Sequence, residues 1–317
     1  MHDLAVIIVS TNEAHWLEPC LRTVFDRAGG ARLDVVVADN ESTDGTRDLV
    51  ESRFPQARVV SCPNRGFAHA NNRAAMTCTA RYILFLNPDT EIVSGTFGDL
   101  VATLDARPDI GLVGVKQLLG DQTLTPTIRY FPSVTRTVCE ALGSERWPLR
   151  PRWVGERDLR FSRYDADVDC DWTSGSFMLV RREALLSAGL LDERFFLYSE
   201  EPDLCLRLKR AGWRVQHLPT MTIIHHFGKA GVRPKMIAQD AYARLQYARK
   251  HFSRPRRAAY VSAVFAYHAI RATLPVGGGD HRAVKRAAGR RAMRTLVGLE
   301  PPPFGAPPKT AVAADSS

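Results

Sequence analysis

Several enzyme signatures are missing from this sequence. No Gly-x-Gly-x-x-Gly follows the first apolar run, which argues against a nicotinamide or flavin dinucleotide, and no Gly-rich Lys-Ser/Thr loop marks a nucleoside triphosphatase. A Gly-x-Ser-x-Gly elbow and a His-Glu-x-x-His helix are also lacking, so serine hydrolase and zincin chemistry fall away. The six cysteines, Cys20, Cys62, Cys78, Cys139, Cys170 and Cys205, form no Cys-x-x-Cys pair. Zinc-ribbon and redox readings therefore fail, and reduced thiols are expected. The longest uncharged apolar stretch, residues 258–270, is shorter than the roughly 20 residues a bilayer requires. The first residues lead straight into a strand-like run, without the layout of a secretory leader. A cytoplasmic chain is expected.

What is present is an ordinary globular composition, with 45% apolar and 24% charged residues across 317 positions. The net charge of +9 is unevenly placed. Residues 229–317 carry 17 Lys/Arg against 4 Asp/Glu, whereas the remainder carries 26 against 30. The basic character thus belongs to the C-terminal portion, which suits contact with an anionic surface. Nucleic acid is not expected there, because no basic motif is interleaved with aromatics.

Four short β-rich apolar runs each stop abruptly at turn-forming residues. Residues 4–9 run into Ser10-Thr11-Asn12-Glu13, and 33–38 into Asp39-Asn40-Glu41-Ser42-Thr43-Asp44-Gly45. Residues 57–60 lead into Pro63-Asn64-Arg65-Gly66, and 82–86 into Asn87-Pro88-Asp89. Helical spacing lies between them: Leu17, Leu21, Val24 and Phe25 share one face, Asp44 is placed to cap a helix over 46–53, and 67–78 is rich in Ala and Asn. The order β-α-β-α-β-α-β predicts a mostly parallel sheet flanked by helices. In such sheets ligands bind beyond the carboxyl ends of the strands, where all four polar clusters fall.

Further along, residues 123–171 read as an irregular insertion rich in Arg, Pro and Trp. A strand-like run within 172–181, helices over 183–188 and 204–211, and strand segments on either side of Pro219 follow. The expected organisation is a catalytic domain over 1–230, with a nucleotide-binding half to about 115 and an acceptor half over 116–230. A basic helical extension over 231–298 and a disordered tail over 299–317 complete it.

The chemistry-bearing residues each admit two readings. Asp89, presented by the rigid proline turn, can hold Mg²⁺ or Mn²⁺, or simply close a β-turn. Asp39 can accept the N–H of a pyrimidine base or form an Asx-turn. Asn64 and Gly66 precede a helix whose N-terminus attracts phosphate. The cluster Glu200-Glu201-Pro202-Asp203 can supply a general base or an acidic helix start. His225, next to His226 after an apolar run, can ligate metal or be structural.

Together these pieces resemble the inverting glycosyltransferases of family two, with the GT-A fold, over roughly residues 4–250. The resemblance rests on "VSTNE", "VVVADNESTDGT", "NRGFAHANN", "LFLNPDTE", "SGSFMLVRREAL", "LDERFFLYSEEPDLCLRLKRAGW" and "HHFG" in that order. Within the family it is most similar to rhamnosyltransferases of bacterial cell-wall and surface-polysaccharide assembly.

The resemblance implies roles. Ser10, Thr11, Asn12, Glu13, Asp39, Asn64, Gly66 and Asn87 would surround the nucleotide. Asp89 and His225 would bind Mg²⁺ or Mn²⁺, with Asn87 standing where the family's metal motif has its first Asp. Glu201 would be the base, with Glu200 as its alternative, and Asp171 and Trp172 would border the acceptor. The implied reaction is inverting transfer, with L-rhamnose from dTDP-rhamnose as the expected donor. The acceptor would be a glycan or a polyprenyl-diphosphate-linked saccharide. Two competing readings are an inactive nucleotide- or glycan-binding relative and a sugar-nucleotide pyrophosphorylase. The pyrophosphorylase would need a Gly-rich basic loop where Ser10-Thr11-Asn12-Glu13 stands.

Arg254, Arg256 and Arg257 precede the apolar positions Tyr260, Val261, Val264, Phe265 and Tyr267. Two partners are open for this stretch: the inner face of an anionic membrane, or protein packing that includes a homodimer.

Overall fold

In the computed structural model, described for residues 2–144, 147, 151, 153–226, 233–273 and 279–305, the chain forms two compact units. The first comprises residues 1–129, 157–192 and 201–229, and the second 130–156, 193–200 and 230–317. Residues 130–156, read from sequence as part of an insertion in the acceptor half, thus group with the C-terminal helices.

The first unit is built on one nine-stranded sheet. Its early strands are β1 (Leu4–Ser10), β2 (Leu33–Asp39), β3 (Ala57–Ser61) and β4 (Tyr82–Leu86). They alternate with helices α1 (Ala14–Asp26), α2 (Thr46–Arg53) and α3 (Phe67–Ala75). All three pairings within the order β3-β2-β1-β4 are parallel. β1 and β4 are buried along their whole length, which is why they read as unbroken apolar runs. Truncating Leu84, fully buried there, to Ala would cost about 2–5 kcal/mol. Leu17, Cys20, Leu21 and Val24 of α1 join the same core.

Beyond β4 the sheet is mixed. It continues through β8 (Phe177–Arg181), β6 (Ile110–Leu118), β9 (Arg214–His225) and β5 (Thr90–Ser94), with β7 (Val168–Asp169) also on β9. β8 runs antiparallel to both β4 and β6, and β9 runs parallel to β6. The parallel arrangement expected from sequence therefore holds throughout β3-β2-β1-β4 and again between β6 and β9, and antiparallel pairings join the rest. β5 is not evident in the sequence, because Thr-Glu-Ile-Val-Ser is short and mostly polar. It forms because β9 offers an antiparallel edge, pairing Thr90 with His225 and Glu91 with Ile224.

β9 is one strand, not two segments around Pro219. Val115 of β6 pairs with Leu218, and Lys116 pairs with Thr222. The offset leaves Pro219, Thr220 and Met221 outside the register, so the missing N–H of Pro219 costs no ladder bond. Helix α4 (Phe97–Asp105) is capped by Thr96, and α6 (Arg182–Ser187) follows β8. Helix α7 (Glu200–Arg210) starts four residues earlier than the apolar pattern indicates, which places both glutamates in its first turn.

The second unit contains α5 (Val134–Ala141), α8 (Pro234–His251), α9 (Arg254–Thr273) and α10 (Gly279–Leu296). Its core gathers Ala241, Leu245, Ala248, Tyr260, Val264, Ala292 and Leu296. Tyr260 and Val264, two of the apolar positions of α9, are thus spent on packing within this unit. Phe265 stays 37% exposed. No described helix is long and apolar enough to cross a membrane. Residues 299–305, read with the disordered tail, instead make defined contacts. Residues 306–317, and Phe227 and Gly228 of the "HHFG" motif, lie outside the described residues.

Candidate active site

The loops after β1, β2 and β3 are tied to one another by their own polar side chains. Ser10 and Asp39 sit side by side in the β1–β2 register, and both are buried. Asn12, at φ 57°, accepts hydrogen bonds through its side-chain oxygen from the Thr43 N–H (2.7 Å) and hydroxyl (3.2 Å). Its own N–H donates to the Ser42 hydroxyl. Asn40 donates to Asn64 Oδ1 at 3.0 Å, which ties the β2 end to the loop before Gly66. The Asp39 carboxylate accepts the Ser42 N–H at 3.0 Å, so it does form an Asx-type turn, and its other oxygen is not used in that bond.

Asp44 supports this corner from below. Its carboxylate accepts the Ala14 N–H at 2.8 Å, and the Thr46 N–H and hydroxyl at 3.2 and 2.6 Å, thereby holding the first turns of both α1 and α2. Burial works against its charge, but these hydrogen bonds outweigh it and hold the carboxyl below its ordinary range.

The turn after β4 is held by its backbone. The Asn87 N–H donates to Ser176 O at 3.0 Å, and the Asn87 carbonyl accepts the Thr90 hydroxyl at 2.7 Å. Cys20 also points at this carbonyl, and burial pushes its thiol up to about 12, so it stays protonated. Held this way, the turn delivers Asp89, only 9% exposed, to the end of β9. Asp89 Oδ1 lies 3.1 Å from His225 Nε2, and Asn87 Nδ2 lies 3.4 Å from the same nitrogen.

The two histidines take different partners, as neighbours on a strand must. His225 meets Asp89, whereas His226 meets Glu91 at 2.7 Å and stacks on Trp16 with ring centroids 4.8 Å apart. His225 is therefore the one aimed at the Asp89 turn.

Asp89 and His225 suit a divalent cation shared with phosphate. They supply one carboxylate and one imidazole, with the Asn87 amide beside them, and Mn²⁺ accepts both ligand types. Among the described residues no group of three His, Cys, Asp or Glu could cage an ion. Remaining coordination would fall to diphosphate oxygens and water, the usual arrangement for such ions in phosphate chemistry.

A short path leads from this pair to the acidic cluster. Ser176, which receives the Asn87 N–H, follows Gly175, whose N–H donates to Glu201 Oε1 at 3.2 Å. The Ser176 hydroxyl donates to buried Gln117 Oε1 at 2.8 Å, which fixes the segment ahead of β8. Gly175 and Ser176 belong to the quoted "SGSFMLVRREAL", but sequence reading gave them no role. The cue was the run of small residues before a strand, where a backbone must be approached closely.

Glu200 is buried and Glu201 half-buried. Asp203 is fully buried and pairs with Arg207 at 2.8 Å, so it braces α7 internally. Tyr198 and Ser199 immediately precede the glutamates at φ 71° and 69°. Successive left-handed residues other than glycine cost on the order of 1–3 kcal/mol each and persist only where their surroundings enforce them. Asp171 pairs with Lys209 at 3.3 Å. Trp172 is 9% exposed beneath the Arg129 guanidinium, so it offers an acceptor little free surface.

Known proteins resemble this chain in sequence and fold. Residues 5–185 fit the family model "Glycosyl transferase family 2". N-acetylglucosaminyl-diphospho-decaprenol L-rhamnosyltransferase of Mycobacterium tuberculosis is 31% identical over 235 residues, covering 70% of this chain and 76% of its own length. Rhamnosyltransferase WbbL of Escherichia coli is 24% identical, covering 70% and 82%. The mannosyltransferase PcManGT of Pyrobaculum calidifontis, solved with GDP-Man and Mn²⁺, shares the fold with a TM-score of 0.57 at 17% identity, covering 95% of this chain and 90% of its own. By its matched residues and its relatives, the chain belongs to glycosyl transferase family 2.

Proposed function

We propose that this glycosyltransferase moves L-rhamnose from dTDP-rhamnose, with inversion, onto a polyprenyl-diphosphate-linked saccharide in bacterial cell-wall or surface-polysaccharide synthesis. The observation that carries the reading is the path from the Asp89–His225 pair through Asn87, Ser176 and Gly175 to the Glu201 carboxylate. It ties a site for a leaving diphosphate to a candidate base within the first unit. The donor and acceptor rest on relatives, the Mycobacterium tuberculosis protein being named for rhamnosyl transfer to a decaprenyl-linked acceptor.

In this reading Ser10, Thr11, Asn12, Glu13, Asp39, Asn64 and Gly66 surround the nucleoside and diphosphate. Asp39, which uses one carboxylate oxygen for the Ser42 N–H, would accept the base N–H with the other. Mg²⁺ or Mn²⁺, held by Asp89 and His225 with Asn87 beside them, would neutralise charge on the departing nucleoside diphosphate. Glu201 takes the proton of the acceptor hydroxyl as that oxygen bonds to the anomeric carbon and the carbon–diphosphate bond breaks. Glu200 is the alternative base. Asp171 and the edge of Trp172 would border the acceptor.

Such an acceptor is presented at a membrane, and the proposed place of action is its cytoplasmic face. The exposed Arg254 and Arg256 at the start of α9 fit anionic headgroups. Flotation with anionic vesicles checks this, and failure to bind removes it. A second copy of the chain at these helices is the alternative partner, readable from the mass in solution.

One observation favours a second reading, a nucleotide-binding relative without turnover: Asn87 stands where the family has a metal-binding Asp. Nucleoside diphosphate release from a panel of nucleotide-sugars with Mn²⁺ or Mg²⁺ separates the two. Turnover lost in Asp89→Ala and Glu201→Gln supports the enzyme. Nucleotide binding without release from any donor, with acceptor extract present, supports the relative.

A further inference from the structure

Seven residues beyond α10 are arranged to hold the acidic turn in place. The helix ends in a left-handed glycine, Gly298 at φ 77°, after which the Leu299 N–H turns back to Arg294 O at 2.9 Å. The Glu300 carboxylate lies 2.8 Å from Arg291 and 3.8 Å from Arg294. Pro301, Pro302 and Pro303 then stiffen the backbone, so little freedom remains to be lost on docking. A turn closed by the Gly305 N–H on Pro302 O presents Phe304.

Phe304 stacks on Phe196, with ring centroids 4.5 Å apart and planes within 4°. The Lys235 ammonium lies 4.0 Å from the Phe304 ring centroid. Helix α8, which carries Lys235, also reaches the same loop directly, since Gln239 donates to Leu197 O at 3.3 Å. Phe196 and Leu197 are thus held by two elements of the second unit. The next two residues are the left-handed pair Tyr198 and Ser199, and then come Glu200 and Glu201. A strained pair at this position needs a support, and the stack beside it is one.

We infer that Phe304 is a positioning residue for the reaction, and that residues 299–305 are a brace that keeps the turn before Glu200 and Glu201 in its productive shape. This rests on the proposed role of Glu201. Among the described residues, these ring and ion-pair contacts of the brace reach none of the residues proposed to surround the nucleotide, so its loss should slow turnover without weakening donor binding.

The test compares Phe304→Ala, Phe304→Leu and Phe304→Tyr with the parent chain in three measurements. Hydrogen–deuterium exchange reads the peptide around residues 195–201, nucleotide titration reads donor-site affinity, and steady-state assays separate kcat from KM. Phe304→Ala should speed exchange at that peptide and lower kcat, each by about tenfold, while nucleotide affinity and donor KM stay within about twofold. Phe304→Tyr should restore both, and Phe304→Leu should fall between; a merely structural loss would instead lower nucleotide affinity together with kcat. Unchanged exchange in Phe304→Ala overturns the brace whatever Glu201 does. Faster exchange with unchanged kcat overturns its part in catalysis, provided Glu201→Gln is inactive in the same assay. An active Glu201→Gln instead overturns the base assignment, and the exchange result still decides the brace.

Discussion

The backbone N–H of Gly175 donates to Glu201 Oε1 at 3.2 Å, and no other residue type fits at position 175 without moving that carboxylate. A Cβ there would stand 2.7 Å from Oε1 and 3.0 Å from Cγ of Glu201. Gly175→Ala should therefore fold, because a side chain and not a backbone must give way, while displacing the proposed base. A misplacement near 1 Å costs on the order of 100-fold, so kcat should fall roughly tenfold to hundredfold. Nucleotide affinity should stay unchanged, measured by titration alongside the kinetics. Full activity in Gly175→Ala would show that Glu201 needs no such placement.

The alternation at the end of β9 makes the two histidines separable by experiment. His225 faces Asp89, and His226 faces Glu91 and Trp16. His225→Ala and Asp89→Ala should each lower kcat/KM by at least about 100-fold and weaken Mn²⁺ binding, read directly from the resonance of free Mn²⁺. His226→Ala should lose less than about tenfold, because its ring supports the strand end and does not face the turn. Equal losses in the two histidine variants would contradict the assignment.

Much of this arrangement was legible in the sequence, for physical reasons that also mark where reading stopped. β1 and β4 are buried on both faces, so their burial appears as continuous apolar runs. α2 was placed by Asp44, a local capping device. β5 was illegible because its formation depends on an edge supplied by β9, more than 100 residues away. The acidic cluster offers the start of α7 as one of its two readings, because acidic side chains suit a helix N-terminus, whereas the apolar pattern begins only at Leu204 and places the boundary four residues late. The Gly175–Glu201 contact joins residues 26 apart and leaves no periodicity to detect. Residues 130–156 read as irregular because α5 has only eight residues and finds its core with helices that follow much later.

Asp44 gives the stability a defined dependence on acid. Its carboxyl is depressed in the folded chain, and its unfolded value is about 3.9. A depressed carboxylate contributes stability that is fully present above the unfolded value and is lost as pH falls through the folded one. Asp44→Asn keeps the side-chain shape but loses the charge. The Tm gap between parent and Asp44→Asn should be constant near pH 6 and should shrink steadily below about pH 4. A gap that widens on acidification would mean that the carboxyl is not the stabilising form.

The second unit carries a buried charge that should behave differently when it is broken and when it is replaced. Arg244 lies 2.9 Å from Glu156 and 3.0 Å from Asp240. The Glu156 side chain is only 6% exposed, and its own N–H is held by Glu140 at 2.8 Å. Arg244→Ala strands the Glu156 carboxylate away from both water and its cation, and should destabilise this unit by about 2–4 kcal/mol in urea unfolding. Glu156→Gln alone should cost less, because Arg244 keeps Asp240 and is partly solvated. The double variant Arg244→Met with Glu156→Gln removes both charges and retains the volume, so it should recover at least half of the Arg244→Ala loss. A loss in the double variant equal to the sum of the losses of Arg244→Met alone and Glu156→Gln alone would show that the two side chains are not coupled.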